Sequence, residues 1–152
     1  MKYFLISLTA IILTITGNAQ TAEDSVKAAI DKMFDGMKNS DVAALKTCFG
    51  DSAAFQTVSS SKEGKLVVRN ESVSDFIESI GKLPKGAADE RITYGTVKVD
   101  GPLAIAWTPY NFYYNGQFSH CGVNSFQLVR FADGWKIQYI IDTRRRQGCN
   151  QQ

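Results

Sequence analysis

A single histidine, His120, stands among amides and aromatics in the last third of the chain. A lone imidazole changes charge near neutral pH, so it can serve as a general base or as a hydrogen-bond donor to a carbonyl. Asp142 opens the run Asp142-Thr143-Arg144-Arg145-Arg146. A carboxylate taken out of water rises in pKa toward a working value, and guanidinium forks match carboxylates and phosphates. The same run also reads as a solvated strand end holding an ion pair. Trp107, Asn111, Asn124, Tyr139, Thr143 and Arg145 supply an indole, two amides, a phenol, a hydroxyl and a guanidinium. Such groups hold a small hydrophobic or aromatic molecule when they converge on an apolar cavity. The three cysteines, Cys48, Cys121 and Cys149, lack zinc-site spacing, and no Gly-rich phosphate loop is present. No metal and no cofactor are therefore expected.

These residues need a scaffold. The chain has 152 residues, of which 44% are hydrophobic and 21% charged, which suits one domain with one core. Composition excludes disordered, collagen-like and disulfide-scaffold classes. A formal charge of +2 argues against a nucleic-acid partner. At the N-terminus, Lys2 precedes an apolar run from Tyr3 to Ile15 and the small residues Gly17-Asn18-Ala19. That is the pattern of a secretory signal over residues 1–19, so the expectation is an exported protein, periplasmic or secreted. The run is short for a bilayer span, which needs about 20 apolar residues, so no stable membrane insertion is expected after cleavage. The remaining residues 20–152 form one domain with its core at about residues 22–146. Export permits a disulfide. Cys121 and Cys149 come together if the last hairpin extends, while three free thiols are the alternative.

Apolar residues at Val26, Ala29, Ile30, Met33, Phe34 and Met37 mark an amphipathic helix over 22–39, started by Thr21 and Asp24. A short helix is expected over Asp41–Phe49, and a third behind Ser72 with Val73, Phe76, Ile77 and Ile80 inward. Short strands read at 54–58 and 65–69, and long ones at 91–99, 103–114, 117–131 and 135–144. The long strands are joined by Asp100-Gly101, Asn115-Gly116 and Asp133-Gly134, strong hairpin signals. The class is α+β, with three N-terminal helices on one face of a curved antiparallel sheet. Two-residue turns would set His120 opposite Asn111, and Asn124 opposite both Trp107 and Thr143. One face would then collect Trp107, Asn111, His120, Asn124, Tyr139 and Thr143. A single bulge would swap these assignments, and Asp142 is open to either face.

This pattern resembles the nuclear transport factor 2-like superfamily, closest to its SnoaL-like and lumazine-binding-like branch. The resemblance is carried by the first helix, by Asn39-Ser40-Asp41-Val42-Ala43-Ala44-Leu45, by Ala53-Ala54-Phe55, and by the ending Asp133-Gly134-Trp135-Lys136-Ile137. It implies a cone-shaped domain that commonly dimerises. Enzymes of the superfamily place a carboxylate or histidine in the cone to move a proton beside a carbonyl. Phe55-Gln56-Thr57-Val58 has no acid where an isomerase-like base would stand, and one histidine cannot make a paired-histidine site. The first reading is thus a non-catalytic or accessory ligand-binding domain. The alternative is a cofactor-independent isomerase, cyclase or dehydratase with His120 as base. A third is an interaction domain using its aromatic sheet.

Overall fold

Helix α1 (Ala22–Lys38) begins where Thr21 and Asp24 cap each other. The Thr21 hydroxyl accepts from the Asp24 amide at 3.1 Å, and the Asp24 carboxylate accepts from the Thr21 amide at 3.3 Å. The computed structural model describes residues 21–61 and 63–150. The secretory signal expected over residues 1–19 lies outside them. Five apolar side chains of α1 (Val26, Ile30, Met33, Phe34 and Met37) form its buried stripe. Asp41 caps a shorter α2 (Val42–Lys46), accepting from the Ala44 amide at 2.9 Å. The chain then leaves the helix three residues before the expected end. Phe49 instead opens β1 (Phe49–Ser60), pairing with Ile137 and setting its ring against Phe55 and Phe76. Strand β2 (Leu66–Glu71) leads into α3 (Val73–Gly81), which Ser72 caps as its spacing to Asp75 implies.

The expected strand over 91–99 is two strands, β3 (Ala88–Ile92) and β4 (Thr96–Asp100), lying end to end along one edge of β5 (Leu103–Tyr114). Tyr94 sits at the break and ties it to α1, its hydroxyl donating to the Asp31 carboxylate at 2.7 Å. Strands β6 (Gln117–Phe131) and β7 (Gly134–Arg145) complete the meander. The sheet order is β2-β1-β7-β6-β5-β3, with β4 also on β5. It is mixed and not purely antiparallel, because β1 runs parallel to β7. A parallel pair needs a long crossover, here most of the chain, so no local turn signal announces it. The α1 stripe packs on Phe126, Leu128 and Ile137 of the sheet, all fully buried. Each such side chain contributes about 1.5–3 kcal/mol by leaving water.

Two one-residue irregularities decide which side chains enter the cone. Asn115 and Gly116 both take positive φ, and Tyr114 pairs with Gln117 as the hairpin signal implies. Ser119 is then passed over, so His120 lies opposite Phe112 and Asn124 opposite Thr108. In the next hairpin Phe131 pairs with Gly134, and Gln138 is passed over before Gln127 meets Tyr139. Asn124 consequently faces Asp142, and not Thr143. A slip of one residue turns every later side chain to the other face.

Cys121 and Cys149 form a disulfide with their Cα atoms 5.8 Å apart, while Cys48 is free and buried. The bridge folds the tail back across the outer face, where Asn111 donates its amide to the Asn150 carbonyl at 2.9 Å. Closing a loop of 28 residues restricts the unfolded chain by about 3 kcal/mol. Cys149→Ser is therefore expected to lose about that much stability in urea unfolding. Wild type under dithiothreitol should match it, and overlap of the oxidised and reduced curves would refute the bridge.

Candidate functional site

Beyond the bulges, alternation along three neighbouring strands places Thr108, Tyr110 and Phe112 of β5 on the inner face. Asn124, Gly122 and His120 of β6 stand opposite them, with Asp142 and Arg144 next on β7. Thr57 of β1 lies beside Asp142. The helices cover only the apolar end of this face, so a hollow of about 70 Å³ remains under its polar end. Met33, Phe34, Phe55, Phe76 and Phe126 form its apolar collar, and Glu90, Asn124, Asp142 and Arg144 its polar floor.

Asp142 is buried and takes three donors: the Thr57 hydroxyl at 2.5 Å, the Tyr110 hydroxyl at 3.1 Å and Arg144 Nε at 2.9 Å. Tyr110 shares its single hydroxyl proton between Asp142 and the Thr143 carbonyl, 3.0 Å away. Gly122 makes this possible. A Cβ there would stand 2.8 Å from Tyr110 Cε1 and 1.7 Å from the Thr143 carbonyl oxygen, so only glycine lets the tyrosine cross the strand. Burial and the neighbouring anionic groups Glu90 and Asp142 push the Tyr110 hydroxyl well above the ordinary phenol range.

Glu90 enters from β3. Its carboxyl group accepts from Asn124 Nδ2 at 2.8 Å, and Asn124 is itself 3.4 Å from the Thr108 hydroxyl. The residue as a whole keeps some exposure, but its carboxyl end packs deep against the amide. Burial raises its pKa to about 7, reinforced by the nearby Asp142 and opposed by the Asn124 hydrogen bond. The floor thus carries two unlike carboxyl groups. Asp142 is ion-paired and fully engaged, whereas Glu90 gains and loses its proton near neutral pH. Such a divergence suits proton transfer or recognition of a ligand bearing both donors and acceptors. Among the described residues no cluster of three His, Cys, Asp or Glu side chains is placed to hold a metal ion.

Of the residues singled out in the sequence, Asn124 and Asp142 lie in this floor and His120 at its mouth. The His120 ring is half-buried, centred 5.0 Å from Phe112 and 5.7 Å from Tyr110, with Nδ1 3.1 Å from the Ser119 hydroxyl. Burial, then Arg144 and Arg146, hold its pKa below the usual histidine value. The other facings are corrected. Trp107, Asn111, Tyr139, Thr143 and Arg145 are on the outer face, Trp107 being 51% exposed. Asn111 holds the tail, Tyr139 donates to Gln56, and Thr143 accepts from the Val123 amide. Thr57, Glu90 and Thr108 join the floor without a sequence signal, Tyr110 joins it against an expected register that turns it to the opposite face, and Arg144 arrives with the run Asp142–Arg146 that the sequence marks for anions. Glu90 falls one residue before the strand expected to begin at Arg91, outside the reach of its alternation, whereas β3 begins at Ala88. A larger groove of about 830 Å³ between α1 and α2 holds none of the four buried polar residues Asp89, Thr108, Asn124 and Asp142.

Comparison with known proteins agrees with the fold. Residues 21–139 match the model of a family described as "Putative lumazine-binding". A search among curated proteins finds no match. An NTF-2 like protein of unknown function from Silicibacter pomeroyi is similar in fold, with a TM-score of 0.60 at 17% identity, covering 80% of this chain and 93% of that one. A domain of unknown function with a cystatin-like fold from Nostoc punctiforme gives 0.62 at 19% identity, covering 84% and 80%. The structure described as a putative dehydratase from the NTF2-like family of Streptomyces avermitilis gives 0.59 at 15% identity, covering 81% and 95%.

Proposed function

Since the chain belongs to the Putative lumazine-binding family of the NTF2-like superfamily, we propose that it is an exported domain that binds a small molecule at the open end of its cone. One observation carries this reading: Glu90 and Asn124, joined at 2.8 Å, present a carboxyl group and an amide at the bottom of an apolar collar. A few polar groups converging on an apolar hollow are the usual anatomy of a small-molecule site. A flat heterocycle with adjacent N–H and C=O groups, as in lumazine, complements that pair. The hollow of about 70 Å³ is below the several hundred Å³ of common ligand sites. Entry of a ring therefore requires Met33 and Met37 to repack, which flexible thioethers do at small cost. A second copy of the chain covers the outer face. That face exposes Leu103, Ile105 and Trp107 at about half their surface each along one strand. Export is supported by the signal-like residues 1–19.

The test combines native mass spectrometry of protein taken from its own source with lumazine fluorescence titration. A retained small molecule on a dimer is expected, and Asn124→Leu should weaken lumazine binding about tenfold or more. Equal affinity in wild type and Asn124→Leu would remove the cone as the site. An empty protein that ignores lumazine would overturn the reading, and a monomer would overturn the dimer.

A second reading is favoured by the position of Glu90 alone. A carboxyl group poised near pH 7 can take a proton from one carbon of a bound carbonyl compound and return it to another. In that case the domain is a cofactor-independent isomerase, cyclase or dehydratase, and Glu90, not His120, is its acid–base group. Asn124, on the floor of the hollow, then holds the substrate oxygen. Solvent deuterium exchange into a bound ketone, abolished in Glu90→Gln, would be its signature.

A further inference from the structure

The cone opens into a second, larger space whose chemistry is quite different. Arg144 lines both the 70 Å³ hollow and a vestibule of about 550 Å³ at the mouth. Ser59, His120 and Arg146 stand around that vestibule, and none of its lining residues is acidic. Arg144 commits one of its five donors to Asp142. Among the described residues Arg146 makes no ion pair. The Ser59 hydroxyl is inaccessible and has no hydrogen-bond partner. It follows Thr57 by two residues on the same face of β1, and the parallel pairing of Val58 with Thr143 carries it beside Arg144. The arginine segment is also held in place, because Cys149 returns to Cys121 directly behind it. Fixed donors lose little entropy when an anion arrives.

We infer that the vestibule is an oxyanion subsite, and that the cone's ligand carries a carboxylate or phosphate group seated between Arg144, Arg146, His120 and Ser59. This rests on the proposed binding reading and adds the ligand's charge to it. Size agrees with chemistry. The hollow accommodates a small apolar or ring portion, while the vestibule has room for a charged substituent several atoms long. Guanidinium groups suit either anion, since their forks match both geometries. The depressed pKa of His120, driven partly by Arg144 and Arg146, is a sign of the positive potential an anion would meet.

Three probes separate the possibilities: lumazine, 6-carboxylumazine and inorganic phosphate. With wild type, 6-carboxylumazine is expected to bind about tenfold tighter than lumazine, with an advantage that shrinks at high salt. Its binding should move the His120 titration, followed by NMR, to higher pH. The His120→Gln/Arg146→Gln double variant should lose the advantage while binding lumazine as wild type does. Phosphate that competes with 6-carboxylumazine but not with lumazine would support the subsite and show that a free anion suffices. Equal affinity for the two heterocycles in wild type would overturn the inference and leave the cone reading standing. Phosphate that shifts His120 while neither heterocycle binds would sink the ring reading and keep the anion site. Anionic probes, 6-carboxylumazine and phosphate, that bind wild type and double variant alike would overturn the inference, whatever their affinities.

Discussion

Replacing Asp142 by alanine is expected to cost about 3 kcal/mol of stability, near the lower end for removing one partner of a buried ion pair. The value follows from what each donor can do next. Arg144 leaves 47% of its side chain in solvent, so it can turn outward and recover hydration. Tyr110 can commit its proton to the Thr143 carbonyl, already 3.0 Å away. The Thr57 hydroxyl is half-buried and has Asp142 as its acceptor, so its loss is not recovered locally. The empty volume adds a cavity beside the ligand hollow. Asp142→Asn keeps the shape and one acceptor oxygen, and should lose about half as much. Urea unfolding of the two variants measures this. A cycle with Tyr110→Phe should give a coupling of about 1 kcal/mol. An alanine variant within 0.5 kcal/mol of wild type would show that Asp142 does not organise the floor.

The same residue shows what a sequence can and cannot convey. Helix starts were legible because capping is local: Thr21 to Asp24 and Ser72 to Asp75 each span three residues. The Asn115-Gly116 turn was equally legible, because its two positive φ angles demand those residue types. Which face Asp142 occupies was not. Its orientation depends on Gln138 slipping out of register between β6 and β7, and glutamine does not mark a bulge. Asn124 enters the cone under the expected register and under the observed one, because it lies two residues from the core residue Phe126 on β6 and shares its face. Trp107 was carried to the wrong face by the same slip that brought Thr108 in. Glu90 was hidden for another reason. β3 is a short edge strand whose partner, β5, is fixed by Tyr94 anchoring the break to α1, a contact across 63 residues.

Glu90 also sets the largest pH effect expected of this protein. Its carboxyl group has a folded pKa of about 7 against a reference of 4.5. A raised acid binds more protons folded than unfolded, so its contribution is fully present below the unfolded value and is lost as pH rises through about 7. The shift corresponds to about 3 kcal/mol if complete. Asn124, Asp142, Arg144 and Tyr110 are the polar and charged groups around it. His120 works in the opposite direction, since its lowered pKa costs stability as pH falls below its unfolded value. Wild type alone would therefore show a muted curve, and the difference between wild type and Glu90→Gln isolates the carboxyl group. Glutamine keeps an acceptor for Asn124 and cannot ionise. Urea midpoints are expected to place the variant about 2–3 kcal/mol above wild type at pH 8.5, with the gap closing toward pH 5. Parallel curves from pH 5 to 8.5 would mean that Glu90 is hydrated and titrates like a surface acid. It would then lose both its fit to a neutral heterocycle and its standing as a proton carrier. Converging curves would leave a group half-protonated near neutral pH at the bottom of an apolar collar, with the amide that holds it already in place.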